Sequence, residues 1–209
     1  LATVLVALVG PVLPARLLET RAEEWLTTVD GRDSGIGTRG AGTITELQVA
    51  GRAGVPSTVN AVVLSVTVTN TRTAGFVTVF PCGGATPTSS NLNFASGATM
   101  TNAVVTSTDA SGKVCLYTMS AVDMVVDLGG YLPVAAPIST APPVRVLDSR
   151  AGPGLSTIDG LQFAIGARAS DTVTTLPIGG RGGSPRDAGA VVLAVTVTDA
   201  ERSGFVTVF

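Results

Sequence analysis

The charged residues of this chain fall into short recurring phrases. An Arg-x-Leu-acid-x-Arg element occurs twice, as Arg16, Glu19 and Arg21 and again as Arg145, Asp148 and Arg150. Side chains on an extended strand alternate between faces, so Arg16 and Glu19 are expected on opposite sides and Glu19 and Arg21 on the same one. Guanidinium groups so placed can bind an anion or a sugar acid. They can equally clamp loop carbonyls and a carboxylate such as Asp127. The clamp is the commoner use, and structural ion pairing is the role expected for Arg16, Glu19, Arg21, Asp127, Arg145, Asp148 and Arg150.

Asp123 and Asp127 are the only acids inside the strongly apolar phrase VDMVVDLGG, and they share a strand face. Two carboxylates on one face suggest glycoside hydrolysis. A hydrolase also needs a cleft with several polar contacts, and pairing with Arg21 or the ordering of a turn is expected instead. Asp30 and Asp33 in DGRDSGIG suggest calcium, yet their spacing misses the alternating ligands of known loops. The counterpart DGLQFAIG keeps Asp159 and loses the second acid, so a surface turn is expected.

The chain has no histidine. That removes the commonest general base, the commonest metal ligand and every Ser-His or Cys-His nucleophile arrangement. No catalytic, metal or cofactor residue is assigned, and the chain is not expected to be an enzyme. Cys82 and Cys115 are the only cysteines. Zinc would need two further ligands, and there is no CxxC. They are either two buried thiols or a disulfide between neighbouring strands. The disulfide is favoured, and it would place the chain in an oxidising compartment. Trp25, Tyr117 and Tyr131 are the candidate glycan contacts, as aromatic platforms on which sugars stack, although Tyr131 at a strand end also suits packing.

These residues must be positioned by sheets. Apolar residues are 45% of the 209 and charged residues 13%, so the polar surface falls to Thr, Ser, Asn and the 25 glycines. β-Branched residues among many turn formers suit pleated surfaces. A net charge of −2 with no basic stripe gives no footprint for nucleic acid. Strands are expected at 15–20, 43–50, 61–70, 75–80, 90–94, 102–108, 112–119 and 122–128. In AVVLSVTVT, Val62, Leu64, Val66 and Val68 alternate with Val63, Ser65, Thr67 and Thr69. Residues 61–80 read as one hairpin and KVCLYTMSAVDMVVDL as another, turning at Ser120–Ala121.

A shift of 129 residues aligns 16–80 with 145–209 without a gap, and about half the positions match. This is an internal repeat of domain size. The organisation expected is an apolar N-terminal segment (1–13; a signal remnant or a strand), a complete repeat (14–131), a Pro- and Ala-rich linker (132–142) and a second, truncated repeat (143–209). A permuted unit over 81–209 is the alternative phase. The second copy would lack the strands that cover the first.

The phrases PARLLETR, LQVAGRAGVP, AVVLSVTVT, GFVTVFPCG, SNLNFASG, TNAVV, GKVCLYT and VDMVVDLGGYLP follow one another in this order. Together they resemble a tandem-repeat family of secreted and cell-surface proteins of actinobacteria and related bacteria, marked by RLLDTR, SNLNF and VDVxGYF-type signatures. The chain departs from that pattern at Glu19, where Asp is usual, and at AEEWL, where a Gly-rich turn is usual. The resemblance implies an extracellular β-rich module, often in tandem, and brings no activity with it; with the strand pattern and the repeat, the fold class expected is all-β, an antiparallel β-sandwich repeat module with a second truncated copy. The expected role is a structural spacer, with a carbohydrate-binding or adhesive module as the alternative. Its partners would be neighbouring repeats or domains of the same protein, and cell-wall or environmental glycans. No membrane span is expected.

Overall fold

The computed structural model describes residues 12–134, 143–188, 191–202, 206 and 208. Nearly all of the apolar N-terminal segment and most of the Pro/Ala-rich linker lie outside the described residues. Those described contain eight strands and no helix. They are β1 (Ala15–Glu19), β2 (Thr43–Gln48), β3 (Ala61–Thr69), β4 (Gly75–Pro81), β5 (Leu92–Phe94), β6 (Met100–Ser107), β7 (Lys113–Thr118) and β8 (Asp123–Leu132).

All pairings are antiparallel, in two four-stranded sheets ordered β1-β8-β3-β6 and β2-β7-β4-β5. The period-two pattern of β3 explains the architecture. Val62, Leu64, Val66 and Val68 are at most 1% exposed, while their alternates are half-buried. Met124, Val126 and Leu128 of β8 extend this apolar face. Val77 and Val79 of β4, Val114 and Leu116 of β7 and Leu47 of β2 join it in one core. Each such side chain contributes about 1.5–3 kcal/mol on burial, so a sheet with one apolar face must find another to cover it.

Both expected hairpins are corrected by this topology. β3 and β4 do not pair: β3 lies between β8 and β6, and β4 between β7 and β5. β7 and β8 likewise lie in different sheets. Alternation shows that each strand has one apolar face, but not whether its neighbour in sequence lies beside it or across the core. Asn70 takes the left-handed conformation directly after β3, with φ 53°. The chain then crosses to the second sheet. The two crossings are tied together. Asn70 donates to the Asp123 carboxylate at 2.7 Å, and Ser120 Oγ donates to the Ala74 carbonyl at 2.7 Å. Gly75 is required beside them, because a Cβ there would stand 2.6 Å from Ser120 Oγ and 2.8 Å from the Phe94 ring.

Cys82, just beyond β4, is disulfide-bonded to Cys115 of β7. The bond closes a loop spanning 33 positions, which in the chain-entropy treatment contributes about 3–4 kcal/mol.

Among the described residues of 143–208 there is no strand. Val191, Leu193, Val195 and Val197, sequence counterparts of the four core residues of β3, are 44%, 37%, 56% and 61% exposed.

Candidate functional site

The charged residues converge where β1 leaves the first sheet. The β1–β8 register pairs Arg16 with Asp127 and Leu18 with Val126, leaving Leu17 as the extra residue of a β-bulge. A bulge shifts side-chain parity by one. Leu17 and Leu18 are therefore both fully buried, and Arg16 lies on the same face as Glu19, in contact with it at 2.9 Å. The alternation expected for an unbroken strand, which set Arg16 and Glu19 on opposite sides, does not hold here.

The side chain of Glu19 is wholly buried. It accepts from Arg21 Nε and Nη2, both at 2.8 Å, from the Arg21 backbone N–H at 3.2 Å and from Arg16 Nη1 at 2.9 Å. Burial pushes its carboxyl up, but the hydrogen bonds and charge of Arg21, with Arg16 behind, outweigh this and hold it below the ordinary value. Arg16 Nε also donates to Asp127 at 3.0 Å. Two guanidiniums thus face two carboxylates, with no net charge left over for an anion.

Arg52 lies beneath this cluster with its side chain 1% exposed. It sits in a tight turn closed by Arg52 N–H to Val49 C=O and Val55 N–H to Arg52 C=O, with Gly51, Ala53 and Gly54 at positive φ. The turn points the guanidinium inward. It grips Asp30 bidentately, Nε to Oδ2 at 2.8 Å and Nη2 to Oδ1 at 2.7 Å, and reaches Asp33 at 3.0 Å. It also donates to the carbonyls of Leu17 and Gln48, both at 3.0 Å. Leu17 is the residue that the bulge leaves without a partner on β8, so Arg52 satisfies the carbonyl that the bulge frees. The Arg52 hydrogen bonds hold the Asp30 carboxyl below its ordinary value despite some burial. Asp30 and Asp33 are thus arginine partners, which is more specific than the surface turn expected from their spacing.

The same bonds recur 129 residues later. Arg181 grips Asp159 through Nε at 2.6 Å and Nη2 at 2.8 Å, and donates to the carbonyls of Val146 at 2.8 Å and Pro177 at 2.9 Å. Arg150 grips Asp148 through Nε at 3.0 Å and Nη2 at 2.9 Å, and Arg145 joins it at 3.2 Å. Backbone geometry follows. Glu19 N–H to Asp33 C=O becomes Asp148 N–H to Gln162 C=O, and the left-handed Asp33 and Gly35 become left-handed Gln162 and Ala164. Hydrogen bonds from Arg181 hold the Asp159 carboxyl down at about 2, and those from Arg150 lower Asp148.

Arg52 and Arg181 were not among the residues singled out from the sequence. A signal was present: Asp30–Arg52 and Asp159–Arg181 are opposite charges kept at one spacing in copies that differ at about half their positions. Asp123 and Asp127 share a face, but four strand positions separate them by about 13 Å, against roughly 5–9.5 Å in glycosidases. Asp123 is occupied by Thr20 and Asn70, and Asp127 by Arg16.

The three aromatic candidates are not brought together. Trp25 stands 74% exposed on the loop after β1, Tyr117 lies on β7 with its ring 5.9 Å from Phe76, and Tyr131 packs on the core at the end of β8. Among the described residues, no three His, Cys, Asp or Glu side chains are grouped to hold a metal ion, and no helix is long and apolar enough to cross a membrane. No protein-family model matches the chain, and no curated protein matches it.

Proposed function

We propose that this chain is a non-catalytic structural spacer of a secreted or cell-surface bacterial protein, built from repeats that extend or decorate the polypeptide carrying them. The observation behind this reading is the saturation of Arg52: every strong donor direction of a buried guanidinium is spent on the protein's own carbonyls and carboxylates. Such a group fastens the chain and has nothing left for a ligand. The Cys82–Cys115 bond adds a covalent clip and suits an oxidising compartment. The ordered phrases that resemble the surface-repeat family point the same way, and neighbouring repeats or domains of the same protein are the partners this role requires.

Single-molecule stretching of the oxidised chain tests the proposal. The expected result is a resisting unit whose rupture force falls in Arg52→Ala and whose released length grows once the disulfide is reduced. A unit that yields at the force of an unfolded chain would defeat the spacer role.

The second reading is a carbohydrate-binding or adhesive module. It rests on the outer face of the β2-β7-β4-β5 sheet, where half-buried Phe76 and Tyr117 adjoin Ile44, which is 47% exposed. A glycan array decides between the two: binding abolished by Tyr117→Ala or Trp25→Ala establishes the adhesive module.

A further inference from the structure

The second arginine-pinned corner rests against a ledge of the first unit. Arg145 Nη2 donates to the Thr88 carbonyl at 3.2 Å. Thr88 ends the ledge, residues 85–88, which is anchored on either side. Before it, Cys82 is bonded to Cys115. After it, the Ser89 carbonyl accepts from Thr78 Oγ1 at 2.9 Å, and Asn91 Oδ1 accepts from the Val79 N–H at 2.7 Å. The donor is fixed as well. Arg145 Nη1 is held by Asp148 at 3.2 Å, and the Arg145 carbonyl accepts from the Ile158 N–H at 2.8 Å.

Between ledge and corner lies a cleft of about 430 Å³ lined by Ala85, Pro87, Thr88, Val144, Arg145 and Ile158. Ile158 stays 55% exposed, as does its counterpart Val29, so apolar burial adds little to the contact. The seating of the corner therefore depends on the guanidinium. A separate bond, Asn93 Nδ2 to Thr196 Oγ1 at 3.2 Å, lies farther along the same side of the first unit.

Arg16, the counterpart of Arg145, spends Nε on Asp127 and Nη1 on Glu19. Its Nη2 has no partner among the described residues. The nitrogen that Arg145 sends to the ledge is thus one that the complete unit also leaves unused. A neutral carbonyl suits it, because Glu19 and Asp127 already balance the charges of the first corner.

We propose that the leading arginine of the repeat is its joint residue, fastening its unit through Nη2 to a backbone carbonyl on the disulfide-anchored ledge of the neighbouring unit. Arg145 on Thr88 is that joint in this chain. The proposal rests on the spacer reading and adds what sets the angle between units: one donor and one ledge per unit join repeats head to tail. The short stretch 135–142 makes the contact intramolecular, so few bonds are enough to hold it.

Amide nitrogen relaxation of the full oxidised chain tests the joint, with the order of 157–164 read against the tumbling of β3 and β8. Order parameters of about 0.85 are expected in the native chain, falling below about 0.6 in Arg145→Ala. Because Arg145 also binds Asp148, amide exchange at Ile158 and Ala164 is followed in the same variant and is expected to stay as slow as in the native chain. Thr78→Val loosens the ledge and leaves every bond of the corner in place, and it too is expected to lower the order of 157–164. Thr196→Ala removes the separate contact and is expected to leave that order unchanged. The proposal is overturned if the corner already moves freely in the native chain, if its order survives both Arg145→Ala and Thr78→Val, or if Thr196→Ala frees it as fully as Arg145→Ala. The rupture force of the first unit is expected to be the same in Arg145→Ala as in the native chain, so a failed joint leaves the spacer reading standing.

Discussion

The two arginine-pinned corners are nearly the same object in different surroundings. Around Arg52 the corner is backed by two sheets, and the bulged β1 runs on into a ladder with β8. Around Arg181 the same hydrogen bonds form with no described strand behind them. Even burial is similar, with side-chain exposure of 1% for Arg52 and 7% for Arg181. Local sequence is thus sufficient to specify a corner, while a sheet needs partners far away in the chain. The surroundings differ, because the first corner is continuous with both sheets, while the second touches the first unit through Arg145 on the Thr88 carbonyl.

That contrast can be broken experimentally. The largest effect is expected from Cys82→Ser with Cys115→Ser, which releases the clip of the first unit and should cost about 3–4 kcal/mol in denaturant unfolding while leaving amide exchange at Ile158 and Ala164 unchanged. Next is Arg52→Ala, which strands Asp30, Asp33 and the Leu17 carbonyl. Because both acids are about one-third exposed, the loss is put at the lower end for breaking a buried pair, about 3 kcal/mol. Arg181→Ala should shift the same transition by less than about 0.5 kcal/mol and abolish protection only at Asp148, Ile158 and Ala164. Equal effects from the two arginines would refute the asymmetry.

A smaller loss is expected for Gly112→Ala. Gly112 has φ +80°, and a Cβ there would overlap that of Ala50. The left-handed strain alone costs about 1–2 kcal/mol, read as a lowered melting temperature of the first unit. The mildest perturbation is pH. The Asp159 carboxyl is depressed from 3.8 to about 2, so its contribution is complete above pH 3.8 and disappears as pH falls through about 2. The Leu161 amide, which donates to Asp159, should report that titration in NMR spectra. Glu19 and Asp30 are lowered too, so the first corner loses its ion pairs in the same direction, but there the core should hold the backbone in place.

Most of the fold was legible, because alternation is a local property. All eight expected strands are present, and their ends agree closely except that β8 runs on to Leu132. The disulfide joins the two cysteines identified. What could not be read depended on a partner strand. The opposite-face expectation for Arg16 and Glu19 failed because one inserted residue, Leu17, reverses parity, and a bulge is defined only against the strand beside it. The 61–80 hairpin failed because a strand with one apolar face can meet its successor edge to edge or face to face. Arg52 went unnoticed because its importance lies in a carbonyl 35 positions away.

The sequence alone determined which segments are strands, which faces are apolar, that a phrase recurs after 129 residues, and that no histidine chemistry exists. Side-chain alternation and residue type are written along the chain, so they need no partner. The tertiary structure alone decided that β3 and β4 stand in opposite sheets, that Glu19 is pinned from both sides, and that Arg52 pins the bulged carbonyl of β1. Those facts are pairings, and a pairing is chosen by which distant surfaces bury one another.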